Sequence, residues 1–233
     1  MNKLAVFVEG KTEQLFAEKL LLEIADRRNI HIEKCQLTGG NKFPRKRLHF
    51  RRLNDDRRYF AYIIDCRSDS TVKSDIVDNY NSLIREGYSS IIGIRDVYPT
   101  KRIMIQKLRL GLKYHVKTEP VTPVFILSVM EIEAWFMAEH THFQRIHPDL
   151  TIDRIKAEFN FDPSQDNMEL RDHPSHDLHQ IYALEGMTYK KRKDHIERTV
   201  EALDYSEIYL SLCSKLQAIK ELTLEIDRFM EEN

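Results

Sequence analysis

Five acidic residues sit where short apolar runs of this chain end: Glu9 after "LAVFV", Asp65 after "YFAYII", Asp96 after "SIIGIR", and Glu131 and Glu133 just past "VFILSV". Carboxylates gathered in one place repel one another and lose hydration. A divalent cation relieves both costs, and an all-oxygen donor set suits Mg²⁺ or Mn²⁺ better than zinc. Such an ion can activate a water and stabilise the leaving oxygen of a phosphodiester. Acids at strand ends also serve as helix caps and solvated loop residues in any α/β protein. Their recurrence on consecutive elements is what favours a metal. Asp65 reads either as a ligand or as a polar turn residue ahead of a capped helix. Glu131 assists Glu133 only if the backbone between them is still extended, because residues two apart share a face in a strand and not in a helix.

Gly10-Lys11-Thr12 invites a different chemistry, since a phosphate-binding loop ends in the same three residue types. The full pattern needs a glycine five residues before Gly10, and that position is Ala5, inside the apolar run. Glu9 also places a negative charge where a nucleotide's phosphates belong. The phosphate-loop reading is therefore set aside in favour of a metal.

Two basic stretches accompany the acids. "NKFPRKRLHFRRLNDDRRYF" gathers Lys42, Arg45, Lys46, Arg47, Arg51 and Arg52 around Phe43, His49 and Phe50, a mixture suited to a phosphate backbone with stacked bases, with an acidic partner surface as the open alternative. "YKKRK", residues 189 to 193, is the second. Lys190 or Lys191 there can sit near a scissile phosphate and stabilise charge developing in the transition state, or the run can be the solvated start of a helix.

The elements that must position these residues alternate. "LAVFVEG" predicts a strand buried on both faces and "TEQLFAEKLLLEIADRR" a helix; "IHIEKCQLTGG" and "YFAYIIDC" follow as strands. "SDIVDNYNSLIREG" predicts a helix with Ser74 as its N-cap and Gly87 as its stop. "YSSIIGIRDVYP" is a strand ending at Asp96, "RIMIQKLRLGLKY" a helix, and "VTPVFILSV" a last strand feeding "MEIEAWFMAEH". This alternation implies an α/β fold with a mostly parallel sheet and helices on both faces, whose sites collect beyond the carboxyl ends of the strands. From about residue 140 the texture becomes helical, so residues 1–140 are expected to form the catalytic domain and 141–233 a C-terminal helical region packed on it.

"VFVEGKTE" resembles the first motif of TOPRIM domains, and "GIRDVYP" and "VMEIEAWFMAE" resemble the later acidic motifs of small stand-alone TOPRIM-like proteins of bacterial defence loci. These are relatives of the OLD-family nucleases and of the TOPRIM effectors paired with ATPases in PARIS-type anti-phage systems. The resemblance extends through "HPSHDLHQIY" and "YKKRKDHIERTV". It implies a TOPRIM-like, Rossmann-like fold and a Mg²⁺- or Mn²⁺-dependent endonuclease acting as a toxic effector under an ATPase partner. Its substrate is expected to be RNA such as tRNA, or otherwise DNA. Carried over by position, Glu9 takes the general acid or base role, Asp96 the first aspartate of the Asp-x-Asp motif, and Glu133 the later glutamate. Lys191 is the catalytic lysine, in a tyrosine-lysine pairing that recurs in the family, and Lys11 and Lys190 join the nucleic-acid contacts. Position 98 is Tyr98 where the motif has its second aspartate, so one ligand of a second ion is missing. The same departure opens an alternative, a non-catalytic, degenerate TOPRIM subunit that binds nucleic acid or a protein partner.

Composition narrows the classes. The 36 Lys+Arg and 37 Asp+Glu nearly cancel, so any nucleic-acid surface must be local. No stretch approaches the roughly 18 apolar residues of a membrane span and no signal-type segment opens the chain, so a cytoplasmic protein without membrane contact is expected. Cys35, Cys66 and Cys213 are odd in number and far apart, which argues against a disulfide framework. His173, His176 and His179 drift around a helix and converge poorly on zinc; Pro174 instead marks a helix start. A homodimer is the default assembly.

Overall fold

The computed structural model describes all residues except 27, 40–47, 49–57, 232 and 233. Five strands, β1 (Asn2–Val8), β2 (Ile30–Gln36), β3 (Tyr59–Asp65), β4 (Ser90–Asp96) and β5 (Val124–Ser128), form one parallel sheet in the order β2-β3-β1-β4-β5. β3 is buried along its whole length and β1 over its last five residues, as their unbroken apolar runs require. β2, at an edge, carries His31, Glu33 and Lys34 and is only partly covered, a composition that discourages further strand pairing. Val8 pairs with Asp65 on one side and Ile94 on the other, which fixes the register at the sheet's carboxyl edge.

Parallel strands need crossovers, and among the described residues three helices supply them. α1 (Lys11–Ala25) follows β1, α2 (Val72–Arg85) follows β3, and α3 (Ile105–Lys113) follows β4. The Gln14 side chain on α1 donates to the carbonyls of Cys35 at 2.8 Å and Ile63 at 3.0 Å, locking the helix over β2 and β3. α2 starts earlier than its sequence suggests. Ser68, not Ser74, accepts the capping N–H, from Ser70, and opens a 3₁₀ turn over Asp69–Thr71; the Ser74 hydroxyl donates back to the Thr71 carbonyl. Gly87 ends the helix at φ +80, a left-handed conformation that glycine adopts without strain.

The chain divides into two compact units, Met1–Arg95 with Lys107–Ile126 and Glu221–Asn233, and Asp96–Gln106 with Leu127–Lys220; residue 140 falls inside the second. In the first, Leu4, Phe7, Phe16, Leu20, Leu21 and Ile63 form the core. Its last chain segment is anchored there by Tyr59, whose hydroxyl donates to the Met230 carbonyl at 2.6 Å and whose ring meets Phe229 edge-on.

The second unit contains α4 (Glu133–Ala138), α5 (His142–Ile146), α6 (Ile152–Phe159), α7 (Pro174–Ala183) and α8 (Lys193–Ala202). Trp135, Phe136, Phe143 and Tyr182 are fully buried in it, each of the two phenylalanines worth about 1.5–3 kcal/mol of burial. Trp135 and Phe136 hold the start of α4 in the core, so the acid that opens this helix is drawn in with them.

Candidate functional site

β4 ends at Asp96 and β5 at Ser128, and both residues are buried. The Ser128 hydroxyl and the Ile132 N–H, the latter at 3.0 Å, donate to the same oxygen, Asp96 Oδ1. Two backbone bonds continue the contact past the strands, Val97 N–H to the Ser128 carbonyl at 2.9 Å and Tyr98 N–H to the Met130 carbonyl at 2.8 Å. Asp96 is thereby held rigidly, with Oδ2 on the side of the Lys191 ammonium, 3.9 Å away.

Between β5 and α4 the chain turns through Met130, which takes a left-handed φ of +63. The backbone there is neither strand nor helix, so Glu131 and Glu133 part company. Glu131 is consumed by α7: its Oε2 accepts the Ser175 N–H and its Oε1 the Ser175 hydroxyl, both at 2.9 Å. With Pro174 as the first residue of that helix, this is a capping carboxylate at a helix N-terminus. Glu133 points into the core, 0 % exposed. Its Oε1 accepts the Tyr189 hydroxyl at 2.7 Å and lies 3.8 Å from Lys191 Nζ, while Oε2 is buried with no hydrogen-bond donor among the described residues. Burial raises the proton affinity of Glu133; the Lys191 ammonium opposes that, the Glu131 charge adds to it, and the Tyr189 hydroxyl opposes it again.

Lys191, with 47 % of its side chain exposed, thus faces two buried carboxylates at separations beyond direct hydrogen bonding. Its segment is gripped from both flanks. The Tyr189 N–H donates to His179 Nδ1 on α7 and the Lys190 N–H to His195 Nδ1 on α8, each at 3.1 Å. A backbone N–H only donates, so both imidazoles are acceptors at Nδ1 and carry their proton on Nε2. His179 and His195 were not legible as site residues in the sequence. His179 was weighed only as a zinc ligand, and the signal for both was their flanking of the tyrosine-lysine run.

Glu9 follows β1 and is half-buried; Glu13, a buried acid in the first turn of α1 that sequence reasoning missed, brings a carboxylate oxygen within 4.8 Å of one on Glu9. Only Glu9 and Gly10 separate β1 from α1, so no phosphate-wrapping loop exists there. Lys11 donates to Gln14 Oε1 at 3.1 Å. Asp65 has both oxygens engaged, Oδ1 by the Arg67 N–H and Oδ2 by the Gln36 side chain, each at 2.7 Å, the pattern of a turn-forming acid. Tyr98 is exposed, its ring edge-on to His173. Lys42, Arg45, Lys46, Arg47, Arg51 and Arg52 lie outside the described residues.

The donor set fits a hard divalent cation. A buried carboxylate oxygen with no donor, as at Glu133 Oε2, must be satisfied either by the carboxyl's own proton or by a cation. Asp96 faces the same ammonium and supplies the second carboxylate. Among the described residues, His147, Asp149 and Glu185 bring ligand atoms within 4.8 Å of one another, but Arg154 already pairs with Glu185 and the Asp149 side chain is 71 % exposed.

Residues 8–217 match the family described as "Domain of unknown function (DUF4276)". That span is most of the chain, and the chain belongs to this family. No curated protein and no solved structure matches it. No described helix is long and apolar enough to cross a membrane.

Proposed function

We propose that this protein is a metal-dependent nuclease whose centre contains Asp96, Glu133 and Lys191. The observation that carries the reading is the pair of buried carboxylates facing one lysine, with Glu133 Oε2 lacking a donor. Asp96 and Glu133 are the residues that would hold Mg²⁺ or Mn²⁺, which would supply an activated water and charge stabilisation at a phosphodiester. Ser128 and the Ile132 N–H keep Asp96 from rotating, and the Tyr189 hydroxyl does the same for Glu133. Lys191, long and partly solvated, can reach a phosphate oxygen and stabilise the negative charge that grows on it. The resemblance to TOPRIM domains supports an acid-base role for Glu9. It also suggests RNA such as tRNA, or DNA, as substrate, and a defence role under an ATPase partner in the cytoplasm.

One observation favours a second reading. An ammonium already facing both carboxylates can itself serve as their counter-charge, as in a TOPRIM-like subunit that binds without cutting. The two readings separate on metal binding. The nuclease reading expects Mn²⁺ to raise the Tm of the wild type and not that of Asp96→Asn or Glu133→Gln. It also expects Mg²⁺-dependent cleavage of total RNA or supercoiled DNA, lost in both variants and in Glu9→Ala. No metal-linked shift and no cutting in any buffer would leave the binding-subunit reading standing.

A further inference from the structure

Ser175, His176, His179, Tyr189, Lys190 and Lys191 line an open cavity of about 250 Å³ beside the Asp96-Glu133 centre, with which it shares Tyr189 and Lys191. No acid is among its lining residues. Glu131, which meets the lining residue Ser175, spends both oxygens on it. Two lining groups are likewise spent, the Ser175 hydroxyl on Glu131 and the Tyr189 hydroxyl on Glu133. What the walls still offer is cationic or donating. Lys190 is exposed and its ammonium has no acidic partner among the described residues, whereas Lys191, also in the lining, is set against Asp96 and Glu133. His179 accepts from the backbone at Nδ1 and therefore keeps an N–H donor at Nε2. His176, exposed one turn earlier on α7, adds a second imidazole. The volume lies below the roughly 300–1,000 Å³ of pockets that enclose a drug-sized ligand, and it matches a phosphate with part of its sugar better than a whole nucleotide with its base.

We propose that this cavity is an anion site that seats a backbone phosphate of a nucleic-acid strand, next to the phosphate presented to Asp96, Glu133 and Lys191. The proposal rests on the nuclease reading for the identity of the strand, but its chemistry can be tested without cutting. A cavity of this kind recognises charge and not base, so it tolerates any sequence and weakens with salt.

The test is lysine footprinting on the full chain in EDTA, where metal and cleavage play no part. Acetylation of each lysine is followed by mass spectrometry with no ligand, with a pentathymidylate, and with the same oligomer carrying uncharged methylphosphonate linkages. Lys190 modification is expected to fall severalfold with the phosphodiester oligomer and not with the methylphosphonate, while Lys193, 76 % exposed, serves as the internal reference. Lys190 reacting equally with and without the phosphodiester overturns the site. Equal protection by both oligomers overturns its anionic character, because a sugar or base then occupies the cavity. A charge-dependent footprint in a protein that cuts nothing when Mg²⁺ is restored keeps the site and sinks the nuclease reading. Cutting without a footprint does the reverse.

Discussion

Two buried glutamates show how differently the same side chain is treated in one unit. Glu133 has one hydroxyl donor and a distant ammonium, whereas Glu139 has both oxygens engaged: Oε1 accepts the Thr141 N–H and hydroxyl, Oε2 the Asp204 N–H at 3.1 Å, and Arg145 stands 3.8 Å off. Burial still pushes Glu139 up to about 7 against the pull of those partners. Its neighbour His142, also buried, is pushed down to about 4, again by burial first. A raised folded-state value means that the Glu139 contribution to stability is complete below the ordinary glutamate value of 4.5 and is lost as pH rises through about 7. The depressed His142 value works oppositely, its contribution complete above 6.5 and lost as pH falls through about 4. Glu139→Gln removes only the Glu139 contribution. Its Tm relative to wild type should therefore rise between about pH 5 and pH 8. A difference that is flat across that range would show that Glu139 is ionised throughout.

At the scale of elements, the tyrosine-lysine segment is a loop held by the two helices that flank it. α7 contributes His179 and α8 contributes His195, each taking one of two consecutive backbone N–H groups. Removing either imidazole leaves an amide to find water and frees the segment to open locally. That segment contains Lys190, Lys191, Arg192 and Lys193, four trypsin sites in a row. His179→Ala and His195→Ala are each expected to speed native-state tryptic cleavage there severalfold, and the double variant more than either. Unchanged rates would mean that packing of Tyr189 alone holds the loop. A similar economy governs the turn before α4. One left-handed residue, Met130, sends Glu131 to cap α7 and Glu133 into the core. No periodicity in "VMEIEAWF" announces that turn, because methionine carries no preference for it.

At the scale of the whole molecule, the sheet decides which strand ends become neighbours. β4 lies between β1 and β5, and its Gly93 marks a close approach. A Cβ there would sit 2.9 Å from Ile76 Cδ1 and 3.0 Å from Phe125 Cδ1, so α2 and β5 both crowd the position. Gly93→Ala should cost about 1–3 kcal/mol, read as a lower urea midpoint with an unchanged slope. A wild-type midpoint would show that the Ile76 and Phe125 side chains re-pack without loss. The sequence alone could only count this glycine as a weak point in a strand, since its crowding comes from residues 17 positions earlier and 32 later.

The chain's own pattern determined what depends on near neighbours. Unbroken apolar runs made strands buried on both faces, helical spacing made the crossovers, Pro174 opened α7, and acids fell at the strand ends. These follow from backbone sterics and from the periods of helix and strand. Only the tertiary structure decided which of those acids share a site. It bound Asp65 and Glu131 with local donors and joined Glu133 to Tyr189 across 56 positions. It also set Lys191 against Asp96 and Glu133 together. A local pattern tells a side chain which face to take; which distant groups meet it there depends on how the elements pack, and that information is spread over the whole sequence.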